Sequence, residues 1–401
     1  MEPTDIWTLT SSALVLIMTP GLALFYGGLV RVKSVVNMML FSVSAMGVVG
    51  VLWILFGYSM SYFAEGEGGF AGNPFKDFGL LATDPAGFIG IGFGAVFAMI
   101  TTALISGAIA DRVGLGSWML FSGVWATLVY FPVAAWVWGG GWISQLGTWL
   151  GTPDVIDLAG GTAIHINAGA AALALAIVVG QRRTFAPGAH RPHSIPLVTI
   201  GAALLWFGWI GFNAGLATEA GEAGLILVNT LGAPAAGIIG WLATDALRGR
   251  KPGVVGAASG AIAGLVAITP AAANLAPVWA LLLGLLAGAA CAVAIDLKFR
   301  LGYDDSLDVV GLHLVAGVIG TVYLGFFAFD DGLFMGGSAG LLLVQTLSVC
   351  GVALYSFAAS WLIAMAVKRI TGLRVPSEVE ELGIDAAAHA EEAYALEEAQ
   401  V

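Results

Sequence analysis

Two histidines stand apart from the rest of the chain. His165 lies in GTAIHINAG and His313 in VVGLHLVAG, and neither stretch holds another charged or titratable residue. A titratable ring inside a long apolar run is expensive, so its default role is functional. The plain alternative is a neutral ring satisfied by a backbone carbonyl. Each ring follows an aspartate by eight residues, Asp157 before His165 and Asp305 before His313. Two adjacent imidazoles cannot both be cationic, but a neutral pair can share a proton, since each ring can donate and accept. Such a polar line in an apolar passage suits a small neutral hydrogen-bonding molecule or a proton relay. No Cys, Asp or Glu sits beside either ring at ligand spacing, and two ligands rarely hold a metal. Neither a metal nor a cofactor is expected. No nucleophile stands in a pattern with a base, which argues against an enzyme.

The second group is aromatic. Phe93 and Phe97 are one helical turn apart, VWGGGW carries Trp138, and WFGWIGFNAG carries Trp209 and Phe212. Rings near a membrane boundary are commonly belt residues, which is the expectation for Trp142, Trp149 and Trp206. Rings around a vestibule have another use, holding a small cation by attraction to their faces, worth about 0.5–2 kcal/mol per contact. Spacing leaves both uses open. Asp157 is first an N-cap for the run that follows it, and second a fixed charge that favours a cation nearby.

The elements that position these residues follow from composition. Hydrophobic residues make up 59% of the 401 and charged residues 10%, against about 25% charged in a soluble domain. Mean hydropathy is +0.92. This excludes an ordinary soluble protein and gives no footprint for nucleic acid. The chain is expected to be an all-α polytopic membrane protein. A span needs about 20 apolar residues, and eleven stretches qualify: 7–30, 35–62, 86–110, 115–138, 158–179, 195–217, 224–247, 254–271, 277–297, 308–329 and 339–367. Barrel strands would be shorter and would alternate. The 57 glycines fit closely packed membrane helices.

Fourteen of the fifteen Lys and Arg follow odd-numbered spans, and only Lys76 lies on the other side. By the positive-inside rule the N-terminus is outside and the C-terminus cytoplasmic. Eleven spans suggest five plus five plus one, with the two five-helix units inverted. The shared Asp-to-His spacing supports this. Each histidine would lie about 12 Å deep from its own face at 1.5 Å per residue, so both could meet near the middle of a core about 30 Å thick. Cys291 and Cys350 sit in apolar runs and suggest neither a disulfide nor a zinc site. No Lys or Arg occurs in the first 12 residues, so no cleaved leader is expected. Eight of the 26 acids fall after Ser377. Residues 1–370 are expected to form the membrane unit and 371–401 an acidic tail.

The chain resembles the ammonium transporter family (Amt, related to the Rhesus proteins). TPGLALFYGGLVRVKSVVNMM, FAMITTALISGAIADR, VWGGG, DLAGGTAIHINAGAAAL, WFGWIGFNAG, SGAIAGLVAITPA and DDSLDVVGLHLVAGVIGT follow one another in family order. The resemblance implies an eleven-span homotrimer of the plasma membrane, with one pore per subunit for ammonium or ammonia and possible use of methylammonium. It implies that Trp138 and Phe97 form an outer recruitment site, that Phe97 and Phe212 form a gate below it, and that His165 and His313 line the pore. Asp157 and Asp308 would be supporting acids, and Phe93 matches a residue one turn from the gate. Where the family pattern is GFNAGS, this chain reads GFNAGLA. Leu216 replaces the serine that lends a hydroxyl to recruitment, which puts the affinity of the outer site in question. The tail TGLRVPSEVEELGIDAAAHAEEAYALEE is similar to tails that bind P-II-type nitrogen signalling proteins. The alternatives are a solvated tail, an ammonium sensor of low flux that signals through it, and a neutral-gas channel of the Rhesus type, against which the aromatic cage argues.

Overall fold

The computed structural model describes residues 2–64, 67–188 and 191–394. Regular structure among these is helical, apart from one isolated antiparallel bridge between Val113 and Arg374. Ten helices are long and apolar enough to cross a membrane, and a shorter apolar one, Val254–Ile268, brings the spans to eleven. In order they are Pro3–Leu29, Val32–Met60, Pro85–Ile109, Leu115–Val137, Gly161–Val179, Ile195–Ala214, Ala220–Leu247, Val254–Ile268, Pro277–Leu301, Val310–Phe327 and Ala339–Thr371.

The boundaries differ from the sequence expectation where backbone chemistry intervenes. Span five begins at Gly161 and not at 158, because Gly160 is left-handed with φ 110°. Span ten begins at Val310 and not at 308, because Asp308 is left-handed with φ 64°. Span eight stops at Ile268 and not at 271. Pro270 has no amide to extend the ladder, and the chain turns there. Span eleven, at 33 residues, is about 50 Å long, so one end projects beyond a hydrocarbon core of about 30 Å.

The helix pairings come in matched sets, as two inverted units require. Span one lies along span six. The histidine turn of span five packs on the body of span ten, and the histidine turn of span ten packs on the body of span five. One helical turn beyond each histidine is a glycine facing the other span. A Cβ on Gly169 would stand 2.5 Å from the amide nitrogen of Leu314, and one on Gly317 would stand 3.2 Å from the Cβ of His165. Small residues let the two backbones approach, and that approach brings the two rings together.

On one face of the molecule, called here the tail side, a buried charge cluster ties the loops to the spans. Arg112 pairs with Asp304 at 2.8 Å, and neither side chain is exposed. Arg182 holds the same carboxylate with two prongs, Nε to Oδ2 at 2.9 Å and Nη2 to Oδ1 at 2.8 Å. Asp111 accepts from Arg182 at 3.3 Å. Burial pulls the Arg112 guanidinium down to about 10, against the opposing pull of Asp304. These arginines, counted in the sequence as loop charges, are interior struts that fix the approach to span ten.

The tail does not behave as a solvated acidic segment. Glu380 and Asp385 are 4% and 2% exposed, and Ile384 is fully buried. Asp385 accepts the amides of Val36 and Asn37 at 2.9 Å each, and so caps the start of span two from outside the helix. Arg31 and Lys33 donate to the carbonyls of Glu380 and Glu381, and Arg374 pairs with Glu380 at 2.7 Å. The last residues of the tail, 395–401, lie outside the described residues. Deleting the chain after Ser377 is therefore expected to cost about 2 kcal/mol or more, from a lost cap and the lost burial of Ile384 against the spans. The truncated protein should insert but melt lower in detergent. Equal melting temperatures would show that the docked tail contributes nothing.

Candidate conduction site

Each histidine sits in a wide π-type turn at the start of its span, Gly161–Ile166 and Val310–Leu314. Such turns widen the helix and re-aim a side chain, and they recur at functional sites. An aspartate organises each. The Asp157 carboxylate accepts the amides of Gly160, Gly161, Thr162 and Ala163 at 2.5–3.1 Å, together with the Thr162 hydroxyl. Asp305 accepts the amides of Val309 and Val310 at 3.1 and 2.7 Å. Three residues after each aspartate comes the left-handed residue, Gly160 or Asp308. The two entrances are thus built alike.

The rings meet. His165 Nδ1 and His313 Nδ1 are 3.2 Å apart, with rings inclined by 24°. They are 1% and 3% exposed, and His165 Nε2 has no partner among the described residues. A bond between two Nδ1 atoms needs one proton between them, so in a neutral pair the rings adopt opposite tautomers.

Above His165, on the side away from the tail, lies Phe212 with centroids 6.2 Å apart. Phe212 stacks face to face with Phe97 at 4.3 Å and 8°, and Phe93 meets Phe97 edge-on at 4.8 Å. Above this stack opens a cavity of about 220 Å³, lined by Trp53, Ser61, Tyr62, Phe93, Phe97, Tyr130, Trp138 and Leu216 among others. Trp138 Nε1 donates to the Asp157 carbonyl at 2.9 Å, which fixes the indole and leaves its face to the cavity. On the tail side a second cavity of about 220 Å³ is lined by Ser306, Lys298 and Asp308. Lys298 Nζ donates there to Asp308 Oδ1 at 2.5 Å and to the Asp305 carbonyl at 2.8 Å. Cavity, phenylalanine stack, histidine pair and cavity lie in sequence between the two faces.

The Ammonium Transporter Family pattern matches residues 6–394. The chain belongs to the ammonium transporter family. It is 49% identical over 426 residues to an ammonium transporter of Mycobacterium bovis, covering 97% of this chain and 89% of that one. The solved structure of a Sensor Amt Protein superposes with a TM-score of 0.88 at 28% identity, covering 96% of this chain and 98% of that one. Mep2 from Candida albicans superposes at 0.85 with 33% identity, covering 98% and 93%. The chain is thus a multi-pass membrane protein of a transporter family.

In this ammonium transporter family member, Trp138, Phe97, Leu216, Phe212, His165 and His313 all reach the line described above. Asp157 is buried below the vestibule and does not line it, whereas Asp308 opens onto the tail-side cavity. Sequence reasoning missed several neighbours. Trp53, Tyr62 and Tyr130 complete the vestibule, and Lys298 holds Asp308. Asp305, noted for its spacing, was not placed among the supporting acids, yet it is the counterpart of Asp157. The repeat signal alone was enough to find it. Trp209, in the last turns of span six, stacks on His165 at 5.5 Å and donates to Thr269 Oγ1 at 2.8 Å, so it backs the histidine and does not line the vestibule. Trp149 is 64% exposed, as a belt residue would be. Trp142 instead packs on Gly351 of span eleven, and Trp206 donates to the Thr230 carbonyl. His193 bonds Val30 and Tyr394 on the tail side, and His190 lies outside the described residues.

Proposed function

We propose that the protein recruits ammonium in the aromatic vestibule, removes a proton there, and conducts ammonia past the phenylalanine stack along the histidine pair, with or without net proton transfer. The observation that carries this is a sealed aromatic stack between a cage of ring faces and a buried hydrogen-bonded pair of histidines. Moving bare ammonium into hydrocarbon costs tens of kcal/mol by Born estimates. Ring faces offer about 0.5–2 kcal/mol each, so they select the cation but cannot carry it through. Loss of the proton removes most of the desolvation cost. Trp138 and Phe97 recruit, Phe97 and Phe212 gate, and His165 and His313 line the pore. Asp157 and Asp308 support the two mouths.

The vestibule faces the outside and the tail side faces the cytoplasm, an orientation supported by the basic residues that cluster with the tail. Residues 1–370 act as the transport unit, assembled as a homotrimer in the plasma membrane, and 371–401 as a regulatory tail. A P-II-type partner remains a fitting occupant of the tail side. Because Glu380, Glu381 and Asp385 already bond this subunit, such a partner must displace the tail or bind beside it.

Currents on a supported membrane test the proposal. Ammonium should enter proteoliposomes saturably, with a current on the supported membrane where the proton follows and none from potassium, and Trp138→Ala should raise the half-saturating concentration by about tenfold. Equal currents for both ions would overturn it. The likeness to a Sensor Amt Protein, with the docked tail, favours one second reading, a sensor of low flux. Proteoliposomes that bind ammonium yet accumulate none would decide for it.

A further inference from the structure

Ammonium presents four N–H groups, and ring faces satisfy it only in part. A dehydrated ion in the vestibule also needs an oxygen acceptor. Leu216 offers hydrocarbon. The Trp138 indole nitrogen is a donor and is already spent on the Asp157 carbonyl. Tyr130 is 1% exposed and its hydroxyl is engaged by Thr101. Ser61 donates its hydroxyl to the Gly57 carbonyl and keeps its acceptor lone pairs, but at 2% exposure it offers almost no surface that an ion can reach. Tyr62 differs from these. The residue is 46% exposed and lines the vestibule, and its hydroxyl bonds no described residue. Its place is firmly set. The ring packs on Tyr58 at 5.1 Å, and the Phe63 amide that follows donates to the Gly139 carbonyl at 2.9 Å. Gly139 is the residue after Trp138, and a Cβ there would stand 2.9 Å from the Tyr62 Cα. The tyrosine is therefore pinned to the turn that carries the recruitment tryptophan.

We propose that Tyr62 supplies the oxygen acceptor for ammonium in the vestibule, the part that a serine at the position of Leu216 would otherwise take. The inference rests on the recruitment reading above. The phenol oxygen accepts an N–H of the ion while the indole and phenyl faces hold its charge.

Tyr62→Phe removes the oxygen and keeps the ring. It should raise the half-saturating ammonium concentration of the transport current about three- to tenfold, below the full value of a charged hydrogen bond because water can fill part of the gap. The maximal current should hold within about twofold, since a step past the gate is unchanged. Leu216→Ser added to Tyr62→Phe should restore most of the loss, a rescue that a purely structural tyrosine would not allow. An unchanged half-saturating concentration in Tyr62→Phe, alongside a clear shift in Trp138→Ala, overturns the assignment of Tyr62. No shift in either variant overturns the recruitment reading itself. Should Tyr62→Phe fail to reach the membrane, Leu216→Ser alone decides. With an acceptor already present its gain stays under about threefold, and a gain of tenfold or more would mean that the vestibule lacks one.

Discussion

Selectivity for ammonium over potassium is expected to fall by about tenfold or more in His313→Ala, with the protein still folded. The two Nδ1 atoms bond each other at 3.2 Å in a site closed to solvent. Removing one ring leaves a polar atom of His165 without a partner, beyond the Nε2 that already lacks one. A buried group left unpaired costs about 1–3 kcal/mol, or about 5- to 150-fold in any step that depends on it. The void also admits water or another ion where a proton-sharing pair had excluded both. His165→Ala should act in the same direction. Currents from both cations that match the parent in both folded variants would remove the histidines from the pathway. Loss of folded protein in both would make them structural.

Asp304→Ala is expected to have the largest effect on stability, about 3–5 kcal/mol. Asp304 holds two arginines at once, and its pair with Arg112 is fully buried. Truncation leaves the Arg112 guanidinium with carbonyl acceptors alone, those of Gly180, Ala108 and residue 304. An uncompensated buried charge is the costly outcome, whatever the net worth of the intact pair. Burial pushes the Asp304 carboxyl up, but the Arg182 hydrogen bonds and the Arg112 charge bring it below the usual carboxylate range. Its contribution is therefore present at neutral pH and is lost only as pH falls through that lowered value. Asp111→Asn serves as the comparison and should cost less, since its ion pairs are longer, 3.3 and 3.7 Å. A melting temperature for Asp304→Ala within a degree of the parent would refute the strut.

Spans were legible because hydrocarbon demands length and apolarity, which are properties of sequence. The meeting of His165 with His313 was legible because each lies equally far from an aspartate that starts its helix. The phenylalanine stack needed the family resemblance, since two rings from spans three and six carry no mutual spacing. Tyr62 was hidden for a different reason. It follows span two at the level where boundary aromatics are common, and only the fold brings it to the turn after Trp138. The tail's docking onto its own subunit was not legible, because charge predicts exposure on average. Asp385 is buried for a reason that sequence does not announce, namely two amides of another helix.

The stack of Phe97 on Phe212 has a kinetic meaning. Ring centroids 4.3 Å apart in planes inclined by 8° leave no gap for even one ammonia molecule. On the proposed route, passage waits for a ring to swing about its χ angles, and buried rings swing only when their neighbours yield. Throughput on that route is set by how often an aromatic shutter opens and hardly at all by how fast solute arrives. Such a device counts molecules one at a time. Its rate climbs steeply with temperature and levels off at high ammonium, as a turnstile's does when the queue lengthens.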